Sequence, residues 1–398
     1  MASPSLTENK PLLLLRLWRN KEYRSVFIQI TTILILFTFL GMIGQNVVTN
    51  LEKAGKEFSF GFLSYPAGYD ITFQPFISFS PTDTHLRAAV VGLLNTLLVA
   101  VTGVIIASIL GFTMGVLRLS KNWLINKIVY VFLEFTRNIP VLLHIFFIYG
   151  IFLYVLPVPK KAVSISDTVF LTNRGFFIPS LVFEDGFGYV LLALLAALAA
   201  VIAFVIWERK NQDETGENYP VFSISAAIII GLPLLTFFIS GSPLSWDLPA
   251  IKGFNFKGGT SIKPEYIALT FALAYYTSCF IAEIVRSGIL AVSKGQTEAS
   301  HALGLTHGST LKLVIIPQAL RVIIPPLASQ YLNLTKNSSL AIAIGYMDVV
   351  ATIGGISLMQ TGKEMETMIF VLLTYLSISL LISAFMNWFN KRMSLVER

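Results

Sequence analysis

The chain has 398 residues, 55% of them hydrophobic and 13% charged, with a mean hydropathy of +0.72. That apolar content excludes an ordinary water-soluble protein and points to a polytopic membrane protein. A net charge of +7 does not make a nucleic-acid binder here, because the cations cluster at the ends of apolar stretches rather than on one soluble face. The single cysteine, Cys279, excludes a disulfide within the chain, and inside an apolar stretch it reads as a small packing residue.

A helix needs roughly 20 apolar residues to cross the hydrocarbon core, and about eight stretches meet that length. They lie near 26–46, 88–117, 127–156, 187–207, 221–240, 265–291, 321–345 and 367–389. Ahead of the first, Pro11 to Ser25 mixes leucines and Trp18 with four cations, the composition of a helix lying in the membrane interface. The first stretch, Val26 to Val48, is too long for the apolar part of a signal peptide and lacks a small-x-small cleavage site, so it is expected to remain as a span.

Residues 52–87 are rich in Gly, Pro, Ser and aromatic residues and form a loop that carries short strands or an interfacial segment; 157–186 is a second such loop. Spans four and five, joined by the polar linker Glu208 to Pro220, form a hairpin. Span four has no charge between Gly188 and Trp207, so the hairpin is expected to face lipid at the periphery of the bundle. Gly111 and Gly115 are a small-xxx-small pair, read as a helix contact rather than a specific dimer face.

Charges inside spans cost on the order of 2.5–3.5 kcal/mol at the helix centre, so each needs a partner or a wet cavity. Glu134 and Arg137 lie three apart on one helix face and can pair; Pro140 then frees carbonyls. Glu283 and Arg286 repeat that spacing. Lys336, with Asn337, Ser338 and Ser339, puts a cation and small polar groups where a span should be apolar. Lys336 or Arg137 could meet a carboxylate, and Glu134 or Glu283 an ammonium. The competing reading makes the two Glu–Arg pairs self-neutralising struts and lets Lys336 snorkel to the interface. His144, alone among apolar neighbours, reads as a packed, hydrogen-bonded residue and not a ligand.

Between spans six and seven the segment Gly295 to Pro317, GQTEASHALGLTHGSTLKLVIIP, is polar. It reads as a short helix, a turn at Gly304, and a second short helix capped by Thr306, with Pro317 opening the next apolar stretch. Small residues at Ala299, Ser300 and Ala302 would let another protein approach closely.

This segment resembles the EAA loop of ATP-binding-cassette importer permeases. The likeness continues through YYTSCFIAEIVRSGILAVSKGQ (275–296), IIPQALR and NLTKNSSLAIAIGY, and upstream through GLLNTLLVA (92–100) and VFLEFTRNIPVLLHIFFIY (131–149). Together these blocks are similar to the polar amino-acid permease family, with the length and insertion of its broad-specificity general L-amino-acid members. His301 departs from the basic or small residue common in the family at that position.

The resemblance implies an all-α membrane bundle of about eight spans of the type I importer kind. It divides as 1–87 (interfacial helix, first span and outer loop), 88–156 (first core spans), 157–264 (inserted loops and hairpin) and 265–398 (core region), with the coupling loop at 294–320. In that loop it marks Gly295, Glu298, Ala299, Ala302, Gly304 and Pro317 as the ATPase-docking residues. Glu134, Arg137, Glu283, Lys336, Asn337 and Ser338 are the candidates for the substrate path. The implied partners are a second homologous permease chain, cytoplasmic ATP-binding subunits, an extracytoplasmic amino-acid-binding protein and membrane lipid. ATP and Mg would sit on the partner ATPase, with no cofactor or metal on this chain.

The sequence has no GxxxxGK[ST] motif, zinc spacing or GxSxG elbow, which gives no support to catalysis by this chain. Cations at Arg16, Arg19, Lys21, Arg24, Arg118, Lys121, Lys127, Arg209, Lys210, Lys294, Lys312, Lys391 and Arg392 fall on one side if both chain ends are cytoplasmic; the resemblance implies the inner membrane of a bacterium. Two other classes stay open at this point: an ion-coupled secondary amino-acid transporter, and a channel-like or scaffolding membrane protein.

Overall fold

The computed structural model describes residues 20–393. The spans are α1 (Lys21–Lys53), α2 (His85–Leu117), the pair α3 (Trp123–Arg137) and α4 (Val141–Gly150), α5 (Phe187–Thr215), α6 (Val221–Ile239) and α7 (Pro264–Leu290). The short helices α8 (Lys294–Ala302) and α9 (His307–Thr310) follow, then α10 (Ile316–Asn337) and α11 (Glu364–Met393). Among the described residues seven helices are long and apolar enough to cross a membrane, or eight spans if the bent pair α3–α4 counts as one. The interfacial segment expected at Pro11–Ser25 lies outside the described residues apart from its end, which belongs to the α1 cap and first turn.

The core is built around α7, which packs against α2, α4 and α10. Lipid tails are as apolar as leucine, so close van der Waals packing must hold such helices together. The α2–α7 contact shows how. A Cβ added at Gly111 would lie 2.6 Å from Cβ of Ile281, and one at Gly115 2.7 Å from Cβ of Val285. The small-xxx-small pair is thus consumed inside the chain. Cys279 is buried on α7, its thiol donating to the Tyr275 carbonyl at 3.3 Å.

The span expected at 127–156 is not straight. Its two halves, Trp123–Arg137 and Val141–Val155, meet at 103°. Pro140 has no N–H and cannot continue the helix. The chain instead closes α3 with the Asn138 side-chain amide donating to the Glu134 carbonyl at 2.7 Å. His144 braces the corner: it is buried, its Nε2 lies 3.1 Å from the Thr136 carbonyl, and its Nδ1 lies 2.5 Å from the Tyr275 hydroxyl.

At the end of the bundle where α7 begins, the loops carry short strands: β1 (Val163–Ser164), β2 (Phe170–Thr172), β3 (Gly175–Ile178), β4 (Ser180–Phe183), β5 (Leu244–Asp247), β6 (Ala250–Lys252), β7 (Asn255–Lys257) and β8 (Thr260–Ile262). They pair antiparallel as β1-β2-β3-β8, β4-β5 and β6-β7. Phe256 of β7 stacks on Phe170 and Phe177, with ring centroids 4.6 and 4.8 Å away, so the β6–β7 hairpin is seated on the larger sheet. The α5–α6 hairpin packs mainly on itself and exposes its leucines and isoleucines, and the β4–β5 pairing clamps its two ends.

Residues 52–87 form a packed cap rather than strands, with Phe62, Ala67, Ile71 and Phe79 buried and a single bridge at Pro66 and Thr84. The cap fastens α1 to the start of α11 through Lys56–Glu364 at 2.8 Å and the Ser59 amide donating to Glu366 at 2.9 Å. None of the α1 residues is buried. After α10 the chain does not run straight to α11: it folds through Ser338–Ile344 and a wide helical turn at Val350–Ser357 that presses into α2 beside Gly92.

Candidate functional site

The coupling segment lies at the opposite end of α7 from the strands, because β8 leads into α7 and α7 leads into α8. Ser293 caps α8 by accepting from the Gly295 amide. The turn after α8 needs a left-handed residue, and Gly304 supplies it with φ +77°. Thr306 then caps α9, accepting from the Ser309 amide at 3.3 Å. The second arm is not a separate helix: α9 runs through one wide turn, Leu311–Ile315, into α10, and Pro317, which has no N–H to donate, follows directly on that wide turn.

Gln318 on α10 donates to Gln296 on α8 at 3.1 Å, tying the arms together. Ser300 turns inward, its hydroxyl on the Gln296 carbonyl, while Gly295, Glu298, Ala299, His301, Ala302 and Leu303 face out. Leu303 is 81% exposed, and Glu298 forms no ion pair or side-chain hydrogen bond among the described residues. An exposed leucine beside two alanines and a free carboxylate suits a protein contact.

The two Glu–Arg pairs of the core are neighbours, Arg137 of one being close enough to act electrostatically on Glu283 of the other. Arg286 grips Glu283 on α7 from two nitrogens, Nη2 at 2.5 Å and Nε at 3.1 Å. Glu134 and Arg137 pair more loosely at 3.5 Å, and the Arg137 guanidinium lies over the Phe280 ring at 5.4 Å. The Arg137 Nε is buried and makes no hydrogen bond. All four side chains keep about a third or more of their surface exposed, so neither pair is sealed in the core. Lys336 is exposed near the end of α10 and bonds to neither pair. Asn337 follows at the end of α10, half-buried, while Ser338 is buried, its hydroxyl donating to the Thr335 carbonyl at 2.7 Å and lying 3.4 Å from the Tyr375 hydroxyl.

Ser338 leads to a polar cluster that the sequence reading passed over. Asp348 is fully buried, accepting from the Ala351 amide at 2.8 Å and the Tyr375 hydroxyl at 3.2 Å. Thr96 accepts from the Val349 amide, Tyr346 donates to the Asn95 carbonyl, and the Asn95 side-chain amide donates to the Phe73 and Met347 carbonyls. These bonds bind α2, α11 and the folded segment after α10. A lone carboxylate between Met347 and Val349 was the available signal, but it lies past the apolar stretch in which charges were sought.

The described residues thus form a membrane-helix bundle with a polar elbow at one end and a strand-built platform at the other. Residues 215–395 match the family described as binding-protein-dependent transport system inner membrane component. The chain belongs to this family and is a permease subunit of the ATP-binding-cassette importer class.

It is 50% identical over 379 residues to the General L-amino acid transport system permease protein AapQ of Rhizobium johnstonii, covering 95% of this chain and 94% of that one. It is 48% identical over 379 residues to the Putative amino-acid ABC transporter permease protein YhdX of Escherichia coli K12, covering 95% and 96%. A solved structure described as an amino acid ABC transporter with histidines is 20% identical, with a TM-score of 0.45 over 77% of this chain and 95% of that one.

Proposed function

We propose that this chain is the membrane-spanning half of an importer that carries L-amino acids across the cytoplasmic membrane, driven by a separate ATPase that docks on α8. The names of the relatives, matched across 95% of the chain, support the cargo class. The observation that carries the coupling is the geometry of the elbow. Glu298, Ala299, Ala302 and Leu303 form an open face, and that face is tied by Gln296–Gln318 to a helix that enters the membrane without a joint.

The working assembly contains a second permease chain, two ATP-binding subunits on the α8 side and an amino-acid-binding protein on the strand side. ATP and Mg belong to the ATPase. In this arrangement α8 and both chain ends are cytoplasmic. Closure of the ATPase pair displaces α8, and the motion passes to α7 and α10, which together contribute much of the buried core. Glu298 is the residue that meets the ATPase. Among the described residues Lys336 forms no ion pair or side-chain hydrogen bond and is free to meet a carboxylate, while Glu283 is already held by Arg286.

Co-purification tests the reading. The ATPase should stay bound to the wild-type chain and be lost when Glu298→Arg is combined with Gly304→Leu. Retention in the double variant would overturn docking on α8, and amino-acid transport by this chain alone in liposomes without ATP would overturn the class.

A further inference from the structure

The strand platform carries an unusual charge distribution for the outer side of a membrane protein. Five cations lie on or beside the β6–β7 hairpin. Lys252 and Lys257 stand on its strands, on the face opposite the buried Phe256. Lys160 places its Nζ 4.6 Å from the centre of the Phe254 ring, and Lys161 follows it. Arg174 donates from Nη1 to the Phe254 carbonyl at 3.3 Å.

All five are exposed, and among the described residues none forms an ion pair. The carboxylates of the same loops, Asp167, Glu184, Asp185 and Asp247, pair with none of them; Asp167 is held to Ser164 and Asp247 accepts from the Gly259 amide. Phe254 is 76% exposed at the tip.

Cations on this side work against the preference of basic residues for the cytoplasmic face, so topology does not account for them. An anionic lipid surface is a poor explanation, because the strong negative surface potential belongs to the cytoplasmic leaflet. The patch is also held in place: Phe256 is stacked on Phe170 and Phe177, and β8 joins the sheet directly to α7. A preorganised basic patch with an aromatic at its centre is a recognition surface for an acidic one.

We propose that Lys160, Lys161, Arg174, Lys252, Lys257 and Phe254 form the face on which the extracytoplasmic binding protein docks, through an acidic surface of that protein. This rests on the strand side being extracytoplasmic in a binding-protein-dependent importer. Charge complementarity there sets the rate and salt dependence of encounter, while the rigid hairpin passes the contact to α7.

The test uses the whole importer in nanodiscs, with its amino-acid-binding protein loaded with substrate, and reads ATP hydrolysis against binding-protein concentration. Lys252→Glu with Lys257→Glu should raise the half-maximal concentration about tenfold or more, leave basal hydrolysis and the maximal rate unchanged, and flatten the salt dependence. Lys252→Arg with Lys257→Arg should behave as wild type, which separates charge from folding. Lys160→Glu with Arg174→Glu should reproduce the shift.

An unchanged half-maximal concentration in both charge-reversed variants would overturn the patch while leaving the importer reading intact. A shift that disappears in nanodiscs of purely zwitterionic lipid would assign the patch to lipid and overturn it too. A wild-type complex that no binding protein stimulates would instead count against the importer reading itself.

Discussion

The fully buried Asp348 carboxylate lies 3.2 Å from the hydroxyl of the half-buried Tyr375, linking the folded segment after α10 to the middle of α11. The same carboxylate accepts from the Ala351 amide and so shapes the turn that follows. One side chain therefore sets both the path of the segment and its attachment to a span.

Removing the acceptor should be costly. Asp348→Leu takes the acceptor from the buried Ala351 amide, at about 1–3 kcal/mol, and leaves the Tyr375 hydroxyl its longer contact to Ser338. Asp348→Asn keeps an acceptor and Tyr375→Phe removes only the donor, so each should cost about 1–2 kcal/mol. Thermal unfolding of the solubilised permease should rank them Leu, then the two milder variants, then wild type. Equal midpoints for Asp348→Leu and wild type would show that these bonds contribute nothing.

Gly111→Leu should be among the most damaging changes in the chain, since even its Cβ would fall 2.6 Å from Cβ of Ile281. Overpacking of this kind costs about 1–3 kcal/mol or more. Ile281→Ala in the same chain should recover part of the loss in membrane-inserted protein, as measured by size-exclusion profile. No recovery would mean that α2 and α7 fail for another reason.

At the elbow, Gly304→Val should strain a backbone held at φ +77°, at about 1–2 kcal/mol for the left-handed conformation. Because Gly304 has open space around it, the effect should be on loop geometry rather than on the bundle. Uptake in proteoliposomes should fall well below that of Gly304→Asn, a residue that tolerates this conformation, while unfolding midpoints stay alike. Equal uptake by the two variants would remove the turn from coupling.

Lys336→Met should abolish amino-acid uptake while the complex still assembles and basal ATP hydrolysis is detectable. The side chain is exposed and anchors nothing within the chain, so loss of assembly is not expected. Normal uptake kinetics would take Lys336 out of the transport path.

Hydropathy located every span because apolar length is a direct requirement of the bilayer. It could not see the corner at Asn138–Pro140, since both halves are apolar and only the missing N–H of Pro140 hinted at a break. Nor could it see the fold-back after Asn337: the run Leu340 to Ile344 is apolar enough to extend a span, yet it turns into a tighter helix and reverses at Gly345. Short strands were expected in the loop 157–186, where β1 to β4 lie, but their positions and pairing could not be read. At two to four residues each they carry too little alternation, and it is pairing across more than 60 residues of sequence that holds β4 to β5. In the elbow, Gly304 and Thr306 were legible because a turn and a cap each demand a particular residue type. The inward rotation of Ser300 was not, because it depends on how α8 rests on the following turn.

The β4–β5 clamp also makes the α5–α6 hairpin a modular insert. Phe183 and Leu244 face each other in register, and the Glu184 amide donates to the Pro243 carbonyl at 3.2 Å, so the chain leaves and returns at neighbouring points. Two membrane crossings can be cut out there and the ends rejoined by a tight turn, without stretching the backbone or disturbing a single contact of the β1-β2-β3-β8 sheet.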